Sequence, residues 1–154
     1  MFEKSTVIYH YYHCFLFPLK GSIIFYRYGQ TMKARIGIAD EELVRKYMLD
    51  VSAGKLNHVE NFPHLWFTSL TELAQVLTKE NIKLLYMISR DRANSVRKLS
   101  EITGRSVEEL SISIDDLESK GFVRIDRCGN EECLTAIYTS FVILVGKELE
   151  ELLQ

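Results

Sequence analysis

No run of apolar residues in this 154-residue chain approaches the roughly 20 that a membrane-spanning helix needs. Two apolar stretches near the start, Cys14–Leu19 and Ser22–Tyr28, are separated by Lys20 and Gly21, and no small-residue cleavage site follows them. An even set of cysteines is also missing. Cys14, Cys128 and Cys133 make three, and without a secretory signal they point to a reduced, cytoplasmic protein rather than a disulfide framework. Excess positive charge is missing too. Lys and Arg number 19 against 21 Asp and Glu, a formal net charge of -2, which argues against an extended phosphate-binding surface but leaves room for a local one. There is no G-x-S-x-G, no phosphate-cradling glycine loop and no His pair with a glutamate at metalloprotease spacing. A catalytic reading has no residues to stand on, and no enzyme activity or cofactor is expected.

What is present divides into unlike parts. Phe2 to Tyr28 carries nine of the 17 aromatic residues and a single acid, Glu3. The composition changes at Met32. That shift leaves two readings of residues 1–31: an aromatic-rich extension lying upstream of a natural start at Met32, or a strand pair that packs on a partner or a membrane surface. His10, His13 and Cys14 lie close together there, but three candidates without a matching pair do not make a four-ligand metal site. No metal is expected.

Residues 32–67 read as a strand, a helix and a connector, expected to serve dimerisation. Lys33–Ile38 alternates like a short strand. Asp40 is placed to cap a helix, with Glu41 and Glu42 at its positive end. Leu43, Val44, Tyr47, Met48 and Val51 form its inward face, and Gly54 is its stop. Residues 55–67 contain Asn57, Asn61 and Pro63, which argue against a regular element. Phe62, Leu65, Trp66 and Phe67 are expected to pack on the core, and His58 and His64 to be surface or packing residues.

Residues 68–146 form the expected main domain, followed by an amphipathic tail at 147–154. Ser69-Leu-Thr-Glu72 has the form of a capping box and opens a short helix. Thr78 opens the next, with Ile82, Leu85 and Ile88 inward. Ser95 opens a third, with Val96, Leu99 and Ile102 inward and Gly104 as its stop. Ser106-Val-Glu-Glu109 is a second capping box, opening a helix with Val107, Leu110, Ile114 and Leu117 inward and Gly121 as its stop. The period then becomes strand-like: Phe122, Val123 and Ile125, a turn at Cys128-Gly129-Asn130, a return over Leu134–Tyr138 and a further strand over Phe141–Val145. Cys128 and Cys133, spaced C-x4-C across the turn, are expected to be cross-strand neighbours that stay reduced, since no further ligand pair completes a zinc site.

A short helix, a turn with glycine and an N-cap, and a second helix with one apolar stripe make a helix-turn-helix pattern, whose second helix can enter the major groove. The hairpin after it supplies a wing. From Met32 to Gly146 the chain resembles small winged helix-turn-helix proteins of archaea and bacteria, namely transcriptional regulators and antitoxin-like DNA-binding proteins. The resemblance rests on Phe67-Thr-Ser-Leu70, Leu77-Thr-Lys-Glu-Asn-Ile-Lys-Leu-Leu85, Ser95-Val-Arg-Lys-Leu-Ser-Glu-Ile-Thr-Gly-Arg105 and Asp116-Leu-Glu-Ser-Lys-Gly-Phe-Val123. It implies an α+β winged helix-turn-helix fold with an added N-terminal strand-helix and C-terminal strand. It also implies a DNA-binding transcriptional regulator, a homodimer, and a gene set beside a toxin.

The chain departs from that family in charge. Lys79–Arg105 holds seven basic residues against three acids, whereas Ser106–Lys120 holds five acids against Lys120 alone. Phosphate contacts are therefore expected from Arg97, Lys98 and Arg105, with Arg124 and Arg127 from the wing. Ser106, Ser111 and Ser113 complete the expected DNA-binding set. The alternative is a protein-interaction module or antitoxin-like protein, whose acidic helix suits a basic partner such as a toxin. The segments Lys33–Ile38 and Phe141–Val145 are expected to present open strand edges, which usually require a partner.

Overall fold

The computed structural model describes residues 32–56, 62–90, 93–129 and 131–153. The readings of His10, His13 and Cys14 and of the aromatic-rich start lie outside these residues, as does His58. The fold is mixed α and β, and it divides into two compact units, one holding Lys79–Thr139 and the other Lys33–Thr78 with Ser140–Gln154. These limits differ from the boundaries expected at 67/68 and 146/147.

In the second unit, alternation does what it predicts. Strand β1 (Met32–Ile38) buries Ala34 and Ile36 completely. Helix α1 (Glu41–Ser52) follows, burying Val44 and Tyr47. Asp40 has the extended backbone of an N-cap but makes no side-chain cap bond. The acids Glu41 and Glu42 are left to complement the dipole. Leu43, expected inward, is 38% exposed. Gly54 takes a φ of +70° and donates to the Val51 carbonyl just past the helix end.

The connector contains an element that its composition argues against. Leu65–Phe67 is a strand, β2, pairing parallel to β1 with Ile36 opposite Leu65, Gly37 opposite Trp66 and Ile38 opposite Phe67. Three residues after a proline carry no periodicity of their own, so the pairing partner makes this strand. Phe62, Leu65, Trp66 and Phe67 are buried as expected. Tyr47 stacks on Phe62 at a centroid distance of 4.6 Å, and Phe62 tilts against Trp66 at 5.2 Å. Helix α2 (Leu70–Val76) opens on Ser69, whose hydroxyl accepts from the Glu72 N–H at 3.1 Å. The Glu72 carboxylate reaches back to the backbone and hydroxyl of Thr68.

In the first unit, α3 (Lys79–Arg90) buries Asn81, Leu84, Leu85 and Ile88, and Ile82 is only half-buried. Helices α4 (Val96–Thr103) and α5 (Val107–Ser119) follow. Leu99 from α4 and Leu110, Ile114 and Leu117 from α5 are wholly buried. Each such side chain is worth about 1.5–3 kcal/mol of burial. Ile102 and Val107, expected inward, are 47% and 44% exposed. After Gly121, strands β3 (Val123–Cys128) and β4 (Glu131–Ala136) form an antiparallel hairpin running from Val123 opposite Ala136 to Cys128 opposite Glu131. The Leu134 N–H also donates to the Asn94 carbonyl at 2.8 Å, fixing β4 to the segment just before α4.

Strand β5 (Tyr138–Val145) and helix α6 (Lys147–Leu152) complete the described chain. The second sheet runs β2-β1-β5. β1 therefore lies in the middle and has no open edge, contrary to expectation. Cys133 is disulfide-bonded, which overturns its reading as a free thiol.

Candidate nucleic-acid interface

The segment joining α4 to α5 is held by bonds its own residues supply. Ser95 caps α4, its hydroxyl accepting from the Lys98 N–H at 3.3 Å. Gly104 closes the helix at φ +71°, a left-handed conformation that glycine adopts without a Cβ penalty, and donates to the Ser100 carbonyl. The Ser100 hydroxyl donates to the Arg105 carbonyl at 2.6 Å, and the Thr103 hydroxyl accepts from the Arg105 N–H at 3.3 Å. Ser106 then caps α5, accepting from the Glu109 N–H at 3.2 Å. The turn between the helices thus has few free torsions, so the pair is presented as one rigid body.

The expected site residues meet different fates. Arg97 and Lys98 stand exposed in the first turn of α4, and neither forms an ion pair among the described residues. That placement is unfavourable for stability, because a cation at a helix N-terminus opposes the dipole. Arg105 is half-buried and turns toward α5, its guanidinium 3.5 Å from the Ser113 hydroxyl and 3.8 Å from the Glu109 carboxylate. Ser106 is occupied as a cap, Ser113 also donates to the Glu109 carbonyl at 3.2 Å, and Ser111 is half-buried. On the hairpin, Arg124 is paired with Asp126 at 2.6 Å, while Arg127 is exposed opposite Glu132. The structure therefore brings Arg105 and Ser113 together, leaves Arg97, Lys98 and Arg127 exposed, and ties the likewise exposed Arg124 to Asp126.

Sequence reading missed the carboxylates that occupy two of the arginines. Arg105 and Glu109 are four apart with Arg105 preceding the helix, and Arg124 and Asp126 are two apart on one strand face. Both spacings are readable in advance. The acids of α5 also have a structural account: Glu108 and Glu109 sit in its first turn, where negative charge stabilises a helix. The outer stripe of α5 carries Ile112, 72% exposed, with Asp115 and Glu118 exposed beyond it.

Elsewhere, a cleft of about 330 Å³ in the second unit is lined by Leu43, Lys46, Tyr47, Asp50, Lys55, Leu56 and Leu153. Lys55 is tied to Asp50 at 3.1 Å. Among the described residues, no group of three or more His, Cys, Asp or Glu could hold a metal ion, and no helix is long and apolar enough to cross a membrane.

The fold and this surface define the chain as an α+β protein carrying a fixed two-helix pair followed by an antiparallel hairpin. A family model described as HVO_A0114 matches residues 76–143, which is under half of the chain but takes in the whole of α3, α4, α5, β3 and β4. No curated protein and no solved structure matches.

Proposed function

We propose that Lys79–Thr139 is a winged helix-turn-helix module that binds duplex DNA, and that the protein is a transcriptional regulator. Helix α5 and the β3–β4 hairpin are the recognition helix and the wing. The observation that carries this reading is the rigid α4–α5 turn beside Arg97 and Lys98, two exposed cations at a helix end where they gain nothing from the helix itself. Phosphate contact explains their position, because each neutralised phosphate releases counterions and adds affinity. Arg127 extends the same chemistry to the hairpin. Arg105 joins by exchanging its Glu109 contact, which at 3.8 Å is a loose one, for a phosphate.

The test is fluorescence anisotropy with the gene's own upstream DNA, across a range of salt. The wild-type chain is compared with an Arg97→Ala/Lys98→Ala/Arg105→Ala variant. The wild type binds with a steep salt dependence, and the variant loses roughly three phosphate contacts' worth of slope, at about 0.9 each. Binding that is absent at low salt overturns the proposal.

A second reading is favoured by one observation, the acidic outer face of α5 around the exposed Ile112. An apolar centre ringed by Glu108, Asp115 and Glu118 suits a basic protein partner, as an antitoxin-like protein would meet in its toxin. Failure to bind DNA, together with a partner lost on Ile112→Lys, supports that reading.

A further inference from the structure

The cleft beside α1 lies wholly within the second unit. One bank is the helix itself, where Leu43, Lys46, Tyr47 and Asp50 follow helical spacing and so share one side. The other bank is Lys55, Leu56 and Leu153. The backbone N–H groups of Lys55 and Leu56 donate to the Asp50 carbonyl at 2.9 and 3.3 Å, and the Lys55 ammonium donates to the Asp50 carboxylate at 3.1 Å. These bonds fix that bank to the helix. The cleft, about 330 Å³ in volume, is therefore preformed and of a size that holds a small molecule. Two of its groups are left over by the fold. Tyr47 is 3% exposed, and its hydroxyl is buried with no hydrogen-bond partner among the described residues. A buried phenol normally finds a partner, because losing water without one is destabilising. Lys46 is exposed and forms no ion pair among the described residues, whereas Lys55 is neutralised by Asp50.

We propose that this cleft binds a small apolar carboxylic acid, its carboxylate taken by Lys46 and the Tyr47 hydroxyl and its hydrocarbon part by Leu43, Leu56 and Leu153. A donor without an acceptor and a cation without an anion have one complement between them, an acceptor that carries negative charge. A single uncommitted lysine matches a single charge, so a monocarboxylate fits where a dianion does not. The three leucines require an apolar body on the same molecule. An alcohol of equal length leaves Lys46 without an anion, and an amine sets a second cation beside it. The inference does not rest on DNA binding, and it is tested without nucleic acid.

Isothermal titration calorimetry of the full chain with octanoate should show saturable binding at one site. Octanol and octylamine should bind about tenfold more weakly or worse. Lys46→Gln, at an exposed position, should weaken octanoate by a similar factor, while Arg45→Gln, exposed on another side of α1, should leave it unchanged. Circular dichroism checks that both variants stay folded. Tyr47→Phe gives an independent sign. It removes a hydroxyl that the fold leaves unsatisfied, so urea unfolding of the ligand-free variant should show undiminished or higher stability, while its octanoate affinity falls. No saturable octanoate binding, equal affinity for octanol or octylamine, or equal loss on Lys46→Gln and Arg45→Gln each overturns the proposal. So does a Tyr47→Phe chain that is less stable without ligand or binds octanoate as well as wild type.

Discussion

Gly37 has an ordinary extended place in β1, yet no side chain fits there. A Cβ built on it would lie 2.4 Å from Cζ3 of Trp66 and 2.6 Å from its Cε3, so the indole of the paired strand lies flat over the glycine. Gly37→Ala must displace that ring, which is itself buried and tilted against Phe62. A loss of about 1–3 kcal/mol is expected, typical of overpacking, measured by urea unfolding. Trp66→Leu in the same chain should recover part of it, because a smaller side chain yields to the new methyl. A double-mutant cycle with no coupling would show that the ring does not hold this position. Beside it, His64 accepts the Arg35 N–H on Nδ1 at 3.0 Å and returns its own N–H to the Arg35 carbonyl at 2.7 Å. Desolvation, and then the Arg35 charge, lower the pKa of His64 from its usual 6.5. The folded state therefore binds this proton less readily than the unfolded state. Its contribution is full above about 6.5 and is lost as pH falls from there through the lower folded value. Stability should decline on acidification below neutrality, and His64→Asn, which keeps an acceptor but does not titrate, should flatten that decline in pH-dependent unfolding curves.

At the scale of elements, strand β4 carries a covalent bond that the sequence reading did not expect. Cys133 lies opposite Asp126 in β4 and is disulfide-bonded. Cys133→Ser should lower the unfolding free energy by about 2 kcal/mol under oxidising conditions. In dithiothreitol the variant and the wild type should converge, and equal stability in both buffers would show that the bond contributes nothing. What was legible in the sequence follows a physical rule. Helix starts at Ser69, Ser95 and Ser106 could be read because each cap is a bond between residues three apart, and all three form. Strands β1, β3 and β5 could be read because they alternate or carry β-branched residues. β2 could not, since Leu65–Phe67 is all buried and gains its identity from β1, some thirty residues earlier. The middle position of β1 was illegible for the same reason, because sheet order is not written in any single strand. Within the candidate site, Arg97 and Lys98 were legible as exposed basic residues. The engagement of Arg105 and Arg124 by carboxylates was overlooked although its spacing was on view.

Over the whole molecule the charges nearly cancel, and their separation matters more than their sum. Between Lys79 and Arg105 seven basic residues stand against three acids, and from Ser106 to Lys120 five acids stand against one lysine. If α5 lies in a groove, Asp115 and Glu118, both exposed, face phosphates within a Debye length of about 8 Å and oppose binding. Glu108 and Glu109 oppose it less, since the helix end already offsets them. The variant Asp115→Asn/Glu118→Gln should therefore bind the upstream DNA more tightly than wild type, by about three- to tenfold at low salt, with the gain shrinking as salt rises. The same anisotropy titration that tests Arg97 and Lys98 measures it. An unchanged affinity in a chain that still depends on Arg97 and Lys98 would mean that α4 and the hairpin contact DNA while α5 faces away. The acidic stripe around Ile112 would then be free to meet a protein while DNA is bound.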